Sequence, residues 1–262
     1  MHRNATKWIA AGAAVVVTAG IVWATPNPTG IVFNERVFND CPGSTLTTTD
    51  SCPALVAIED QNLSCNGFAN LHNWHFSEDG ITDAVFDNDS HFQFSADLVI
   101  DGTGEGEAGL QVAPWWSQNV DGRFNVKTAG EIACFGGRLP FFSFTSTYGL
   151  NYVKGETIGL EVIYDPHDLS ETNPATIEYI VHYGGTFSSG PLPFDMANPD
   201  EDPPYGLWGM LNDARVGGYC QLLMDPGNNV GVRVEWRSIG FENLDTTPII
   251  EKTWGGVKSQ FR

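Results

Sequence analysis

The sequence predicts an all-β protein, a sandwich of two antiparallel sheets. Short runs of alternating apolar and polar residues follow one another along the chain, and clusters of Gly, Pro, Asn and Asp separate them. No segment keeps a helical period with capping residues. A content of 42 % hydrophobic and 12 % aromatic residues supplies a packed core, and 29 glycines and 15 prolines supply the turns.

The predicted strands begin near residue 92 and recur at short intervals. We expect them at residues 92–100, 109–112, 130–135, 141–145, 157–164, 176–183, 205–211, 219–224 and 230–241. The first of these alternates with Phe92 and Phe94 on the core face. The last alternates most strictly: Trp236 points to the core with the valines, and the charged residues of RVEWR point away. The polar stretch 42–51 is predicted to be a loop.

The first 24 residues are predicted to be a signal peptide. Arg3 and Lys7 precede an uncharged, mostly apolar run, residues 8–24, that ends in the small residue Ala24. We expect cleavage there and a secreted protein, extracellular or periplasmic. The alternative is an N-terminal membrane anchor, because the run reaches only the short end of the roughly 17–25 residues that span a bilayer. Residues 25–245 would form the β-sandwich domain and 246–262 a C-terminal tail, with no stable membrane span after cleavage.

A formal net charge of −19 narrows the choice of partners. Such an acidic chain repels nucleic acid and anionic membrane surfaces, whereas it suits calcium and uncharged glycans. Calcium binds several oxygen ligands at once, and the run that contains Asp87 and Asp89 is the candidate metal site. Solvated turns are the alternative interpretation of this run.

Five cysteines lie in a chain that is expected to enter an oxidising compartment, where disulfides form. Cys41 and Cys52 flank the predicted loop, and we expect them to form a disulfide. Cys134 and Cys220 lie in strand-like segments, where a second disulfide or two buried thiols would fit equally. No C-x-x-C spacing typical of zinc sites occurs.

The order of the segments resembles that of the concanavalin A-like lectin/glucanase superfamily. An early segment, GIVFNERVFND, would pair with the last strand, VRVEWRSIGFE, and GEAGLQVAPWW, GETIGLEVIYD and ATIEYIVHYGG lie between them. The resemblance is one of layout and covers residues 31–242. It implies a jelly-roll sandwich in which the closing strand returns beside the first. A fold alone does not establish a function.

One strand carries a candidate catalytic pattern. Arg233 and Arg237, with a glutamate between them, resemble the arginine-rich strand of alginate-type polysaccharide lyases, where arginines neutralise a uronate carboxylate. Tyr179 and His182, or Tyr183, would then serve as acid and base. The alternative is an exposed ladder of ion pairs, which contributes little to stability.

A pair of adjacent tryptophans is the candidate ligand-binding feature. Trp115 and Trp116 lie close to polar residues that include Asp121. An exposed indole offers the flat apolar face on which a sugar ring stacks. We therefore expect these three residues to bind ligand, and packing of the indoles under the edge of the sandwich is the alternative.

These observations predict a secreted, glycan-binding, lectin-like protein whose partner is a carbohydrate and whose cofactor, where one is needed, is calcium. The first alternative is a polysaccharide-degrading enzyme, lyase or glycoside hydrolase, on the same fold. The second is a structural cell-surface or adhesion module. The sequence leaves open whether the chain is an enzyme, which glycan it meets and how many copies assemble.

Overall fold

Two antiparallel sheets pack against each other, which confirms the predicted all-β, jelly-roll class. The computed structural model describes residues 24–113, 122–136, 139–194 and 208–245, so the predicted tail and nearly all of the predicted signal peptide lie outside it. The elements, in chain order, are β1 (Gly30–Asn39), β2 (Thr45–Ser51), β3 (Leu55–Gln61), β4 (Ala69–Ser77), β5 (Phe92–Gly102), β6 (Gly106–Ala113), β7 (Arg123–Lys127), β8 (Ile132–Phe135), β9 (Phe142–Ser143), α1 (Phe144–Tyr148), β10 (Ile158–Asp165), β11 (Thr176–His182), β12 (Thr186–Ser188), β13 (Leu192–Pro193), β14 (Arg215–Leu223) and β15 (Gly231–Asn243).

The chain crosses repeatedly between the sheets. The seven-stranded sheet has the order β1-β4-β14-β6-β7-β8-β9, and the eight-stranded sheet has the order β12-β11-β10-β5-β15-β3-β2 with β13 beside β11. Strands that are neighbours in a sheet are therefore often far apart in sequence. Within the described ranges no helix has the length and apolar character needed to cross a bilayer.

The core forms where the inward residues of both sheets interdigitate. Alternation in the first and last predicted strands is confirmed, since Phe92, Phe94 and Trp236 are fully buried. Trp236 of β15 meets Trp74 of β4 edge to face at 5.9 Å between ring centroids, which joins the two sheets at the centre of the sandwich.

The predicted pairing of the early segment with the last strand is wrong. β1 pairs with β4 in the seven-stranded sheet, whereas β15 lies between β3 and β5 in the other sheet. The place expected for β1 is taken by β3, whose sequence LVAIEDQ is buried at four of seven positions. The predicted loop at 42–51 is also wrong over most of its length, because β2 pairs along the exposed side of β3 and needs few apolar residues there.

Two further predicted strands differ from the structure. The segment 141–145 gives only the two-residue β9 before α1 begins, because Ser143 caps the helix by accepting a hydrogen bond from the backbone of Ser146. Gly149, with φ of 71°, ends this helix in the left-handed region. Of the segment 205–211, residues 208–211 are described, and they form a bend rather than a strand.

The predicted disulfide partner of Cys41 is wrong: the bond joins Cys41 to Cys65, with 5.4 Å between the Cα atoms. Strand β2 explains this outcome. Its seven extended residues separate Cys41 from Cys52 by roughly 23 Å along the chain. The hairpin β2–β3 then brings the chain back, so that Cys65 lies beside Cys41, and Cys52 is a half-buried free thiol.

Cys134 and Cys220 are two buried thiols, the second of the two predicted states. They lie on β8 and β14, which are three strands apart in one sheet, or roughly 14 Å. A disulfide requires Cα atoms within about 7 Å. Burial raises the pKa of both thiols.

A polar cluster lies inside the sandwich next to the disulfide. The backbone N–H of Arg36 donates to Nδ1 of His72 at 3.0 Å, so Nε2 carries the proton and donates to Asp60 at 3.3 Å. Asn70 donates to the same carboxylate at 2.7 Å. Burial alone would raise the pKa of Asp60, but these donors together hold it below its ordinary value. Hydrogen bonds to Oδ2 thus compensate the buried charge, whereas Oδ1 has no hydrogen-bond partner among the described residues.

The two ends of the described sandwich lie side by side. The backbone N–H of Thr25 donates to Asp245 at 3.1 Å, and the Asn243 side chain donates to the carbonyl of Thr25 at 2.8 Å. Thr25 is buried even though it stands almost at the start of the described residues.

Candidate functional site

Polar side chains cover the outer face of the seven-stranded sheet, at positions that alternate with core residues. The central set, which we call the polar-face cluster, has at most 8 % of each residue exposed; its members are His75 of β4, Gln111 of β6, Arg123 and Asn125 of β7, and Tyr219 of β14. Polar groups on an outer sheet face are normally solvated, so a desolvated set of this size is the informative feature of the molecule.

Strand register places the cluster in two neighbouring rows across the sheet. His75, Gly217, Gln111 and Arg123 occupy the first row. Asn73, Tyr219, Gly109 and Asn125 occupy the second. His75 and Tyr219 are therefore diagonal neighbours on adjacent strands, with Cα atoms about 7–8 Å apart.

A glycine in each row lets side chains meet across an intervening strand. A Cβ atom on Gly217 would lie 2.0 Å from the carbonyl oxygen of Trp74, and one on Gly109 would lie 1.8 Å from that of Phe124. Neither position has room for a side chain. As a result His75 reaches Gln111 over Gly217, and Tyr219 reaches Asn125 over Gly109.

The hydrogen bonds of His75 define its tautomer. Nδ1 lies 3.0 Å from a carboxylate oxygen of Asp83, which can only accept, and 3.0 Å from the side-chain nitrogen of Asn34, which can only donate. Because Asn34 also hydrogen-bonds to Asp83, we assign its N–H to the carboxylate and the proton of the ring to Nδ1. Nε2 lies 3.3 Å from the side-chain nitrogen of Gln111, which donates to its lone pair. A neutral imidazole with Nε2 as acceptor is the form that can take a proton from a substrate.

Asp83 is held as a carboxylate beside this ring. Its burial alone would raise its pKa, but the hydrogen bonds of His75 and Asn34 and the charge of Arg215 together hold the pKa below its ordinary value. The guanidinium Nε of Arg215 lies 3.6 Å from the carboxylate. Asp83 thus orients His75 in the way that carboxylates orient catalytic and metal-binding histidines.

The rest of the cluster forms a closed network. The Tyr219 hydroxyl donates to Asn125 at 2.7 Å, and the Asn125 amide donates to Glu107 at 3.2 Å. Arg123 donates to the other oxygen of Glu107 at 2.7 Å, and its guanidinium carbon lies 4.8 Å from the centroid of the Tyr219 ring. The tyrosine is therefore fixed from both its hydroxyl and its ring face.

This arrangement combines three chemical capacities within one sheet face. His75 has a basic nitrogen, Tyr219 has a hydroxyl proton, and Arg123, Gln111 and Asn125 have groups that hydrogen-bond to anionic or polar oxygens. An acid, a base and carboxylate-binding donors are what proton abstraction next to a carboxylate requires.

The predicted RVEWR site does not form. Arg233 pairs with Glu235 at 2.7 Å and with Glu59 at 3.1 Å, and Arg237 pairs with Glu235, all on the outer face of the eight-stranded sheet. The alternative prediction, a ladder of exposed ion pairs, describes the geometry. These arginines are engaged with carboxylates of their own sheet.

The predicted acid and base do not join those arginines either. Tyr179 points into the core, is fully buried and donates to the carbonyl of Pro140 at 3.2 Å. Burial raises its pKa well above its ordinary value. His182 is on the outer face, but three strand spacings from Arg237, with Asp97 and Gly159 between them in the row.

The remaining predicted sites have different outcomes. Trp115, Trp116 and Asp121 lie outside the described residues. Asp87 and Asp89 line a cavity of about 520 Å³, and burial followed by the charge of Asp87 raises the pKa of Asp89. In the described part of the chain, no three or more His, Cys, Asp and Glu side chains converge as metal ligands would.

Sequence reasoning missed the polar-face cluster because its members lie on four strands spread over about 145 positions of the chain. One local signal existed. RFNVK and GLQVA place polar residues at alternate positions of short strands, but a solvated strand face gives the same pattern. Burial on the polar side distinguishes the two, and it appears only in the folded sheet.

Comparison with known proteins gives matches of layout. No protein-family model and no curated protein matches this sequence. Solved structures that it resembles include the Emp47p carbohydrate recognition domain, with 12 % identity, 82 % of this chain and 89 % of that chain covered, and a TM-score of 0.41. A Lotus tetragonolobus seed lectin is 10 % identical, with 84 % of this chain and 96 % of that chain covered and a TM-score of 0.38.

A family 7 alginate lyase, A1-II′, is similar with 8 % identity, covering 72 % of this chain and 78 % of that chain at a TM-score of 0.40. The two antiparallel sheets of this chain agree with the jelly-roll fold that the predicted resemblance implies. With TM-scores below 0.5, nothing about ligand or activity follows from these likenesses.

Proposed function

We propose that the polar-face cluster cleaves an acidic polysaccharide by β-elimination at a uronate residue. The observation that carries this proposal is the tautomer of His75: Asp83 holds the proton on Nδ1, and Nε2 is an acceptor, which the Gln111 amide occupies until a substrate displaces it. A site that only binds sugars has no need of a histidine oriented by a carboxylate. A base does, because its proton-accepting nitrogen must face the substrate.

The reaction assigns one role to each group. Nε2 of His75 takes the proton from the ring carbon next to the uronate carboxylate. The electron pair of that C–H bond forms a carbon–carbon double bond, and the glycosidic C–O bond on the other neighbour breaks. The Tyr219 hydroxyl, a diagonal neighbour of His75 in the sheet, gives its proton to the departing oxygen. His75 and Tyr219 exchange the proton with solvent to restore their starting states.

Charge on the uronate carboxylate grows during proton abstraction, and the donors on this face are suited to it. Gln111 lies beside the base, and Arg123 lies over the ring of the acid. An arginine is always protonated and offers several N–H donors to a carboxylate. Because these side chains expose so little surface, substrate access requires a local rearrangement.

Glycan binding without cleavage is the second candidate function. The charge of Arg123 is already balanced by Glu107, an observation that favours an uncharged ligand. Amides such as Gln111 and Asn125, next to an aromatic ring, also suit sugar hydroxyls. In this case the lectin-like prediction holds, and the tautomer of His75 serves only to satisfy buried hydrogen bonds.

Secretion and calcium remain proposals. The disulfide between Cys41 and Cys65 supports export, because such bonds persist in oxidising compartments. Asp87 and Asp89 line one cavity, and two carboxylates that face the same space support a calcium ion there, since calcium binds oxygen ligands.

The test is an assay for unsaturated products by ultraviolet absorbance, with alginate, polygalacturonate and hyaluronate as substrates, in the presence of calcium or of EDTA. We expect cleavage of at least one polymer. His75→Ala should reduce kcat by about 10²- to 10⁴-fold, the usual contribution of a general base. Tyr219→Phe should cause a comparable loss while keeping the ring under Arg123.

His182→Ala is the matched control, since this histidine lies on the other sheet and is close to half exposed. We expect no change in kcat for that variant. A flat absorbance trace from folded wild-type protein on all three polymers would remove the lyase. Binding of the same polymers without any product would instead support the lectin-like candidate.

A further inference from the structure

Two exposed aromatic side chains stand at opposite edges of the sheet that carries the polar-face cluster. Phe38 of edge strand β1 is 45 % exposed, and Phe141, which precedes edge strand β9, is 71 % exposed. Single exposed apolar residues are common on protein surfaces. The position of these two relative to the cluster is what distinguishes them.

Both rings belong to the outer face of the sheet. Phe38 pairs with Leu71, which alternates with the core residue Trp74 and so shares a face with His75. On the other edge, Phe142 pairs with the core residue Cys134 and packs on Phe144. The preceding residue, Phe141, therefore faces the opposite way, in the row that contains Phe135 and Arg123.

The line between the two rings passes over the cluster. Six strand spacings separate β1 from β9, or roughly 29 Å at about 4.8 Å each. Phe38 lies in the row of Leu71, Phe141 in the row of His75, and the row of Gly109 lies between them. At the middle strand, β6, the line therefore meets Gly109, where Tyr219 hydrogen-bonds to Asn125.

We infer that Phe38 and Phe141 are ring-stacking subsites for two distant sugar units of one polysaccharide chain that runs across the strands. This inference rests on the proposed function and extends it to the size of the ligand: a polymer segment about 30 Å long rather than a mono- or disaccharide. Sugar rings stack on aromatic faces through their apolar C–H side, whatever charge the sugar carries. The two rings therefore supply affinity at the edges and leave recognition of the carboxylate to the cluster.

Binding of size-fractionated oligosaccharides tests the inference. The probes are oligomers of alginate, polygalacturonate and hyaluronate, from disaccharide to dodecasaccharide, measured by calorimetry on the His75→Ala protein so that cleavage does not interfere. We expect affinity to rise until an oligomer spans both rings. Phe38→Ala and Phe141→Ala should each weaken binding of the long oligomers by about tenfold, the size of one aromatic contact, and leave the disaccharide unchanged.

Val153→Ala is the control, because Val153 is 51 % exposed and its backbone N–H donates to the hydroxyl of Tyr183, which follows β11 of the other sheet. Affinity that stops rising at the trisaccharide, or phenylalanine variants that behave like this control, would overturn the inference and leave the lyase intact if wild-type protein still cleaves. Length-dependent binding through both rings with no cleavage would support the inference and overturn the lyase. Absence of binding to every probe would overturn both.

Discussion

The two outer faces of the sandwich carry similar residue types in different surroundings. On the eight-stranded sheet, Arg237 is 49 % exposed at its side chain and pairs with Glu235 in solvent. On the seven-stranded sheet, the side chain of Arg123 is 10 % exposed and that of its partner Glu107 is 12 % exposed. Alternating charged residues along a strand therefore indicate an outer face, whereas burial of those charges indicates a candidate site.

Substitution of a glycine should give the largest difference in unfolding free energy between the two sheets. Gly217→Ala should lower the free energy of unfolding by at least about 4 kcal/mol, because the new Cβ atom meets a backbone carbonyl at 2.0 Å and two central strands must separate. Gly159→Ala on the other sheet meets the His182 side chain at 3.0 Å. The atom met is Cβ of His182, and a shift of a few tenths of an ångström relieves the contact, so we expect a cost below about 1 kcal/mol. Urea denaturation of both variants measures the difference.

Equal losses of unfolding free energy for the two glycine variants would contradict this difference between the two sheets. They would mean that the central strands of the polar face yield as easily as an exposed side chain. The hydrogen bond between His75 and Gln111 over Gly217 would then be tolerant of strand separation rather than dependent on close approach.

Arginine truncation gives the next largest difference. Arg123→Ala leaves Glu107 largely buried without its cation, and we expect a loss of about 3 kcal/mol in the free energy of unfolding. Arg237→Ala removes an exposed pair and should cost less than about 1 kcal/mol. Adding Glu107→Gln to Arg123→Ala should restore part of the loss, because the uncompensated charge is gone. A double variant no more stable than Arg123→Ala would show that packing on Tyr219, and not charge, accounts for the effect.

The pH dependence of the unfolding free energy should give the smallest difference between the two faces. The pKa of Asp83 is lowered in the folded protein, so its contribution is fully present above its ordinary value of 3.8 and is lost as the pH falls through the lower folded value. The pKa of Glu235 is also lowered: burial raises it, but the hydrogen bonds and charges of Arg233 and Arg237 lower it by more. We expect Asp83→Asn and Glu235→Gln each to cost about 1 kcal/mol near neutral pH, and the difference from wild type to vanish in acid.

Sodium chloride should have different effects on the stability cost of substituting these two carboxylates. Added sodium chloride should reduce the cost of Glu235→Gln, whose arginine partners are exposed, and leave that of Asp83→Asn nearly unchanged. Thermal denaturation over a range of ionic strength measures both. A cost of Asp83→Asn that falls with salt to the same extent would contradict the desolvated character of the polar face.

The fold class was predictable because β5, β10, β11 and β15 alternate clearly, with one face in the core. Strand β4 was not, since all nine of its residues are buried and ANLHNWHFS has polar residues on both sides. Alternation disappears wherever both faces of a strand are covered. The site depends most on that strand, because β4 carries His75.

The cysteines show a second limit of sequence reasoning. Spacing suggested a small loop closed by Cys41 and Cys52, but the residues between them pair as a strand and extend. A disulfide depends on where the chain returns, and the return is made by the hairpin β2–β3. The partner Cys65 is farther along the chain and nearer in space.

The hydrogen bonds that join Thr25 to Asn243 and Asp245 have a consequence for engineering. When the first and last described residues of a domain are neighbours, they can be joined by a short linker and the chain can be opened in a surface turn elsewhere. A circular permutant that links residue 245 to residue 25 and opens in an exposed turn should therefore keep both sheets. The same proximity would let the sandwich be inserted into a surface loop of another protein without separating the two halves of its host.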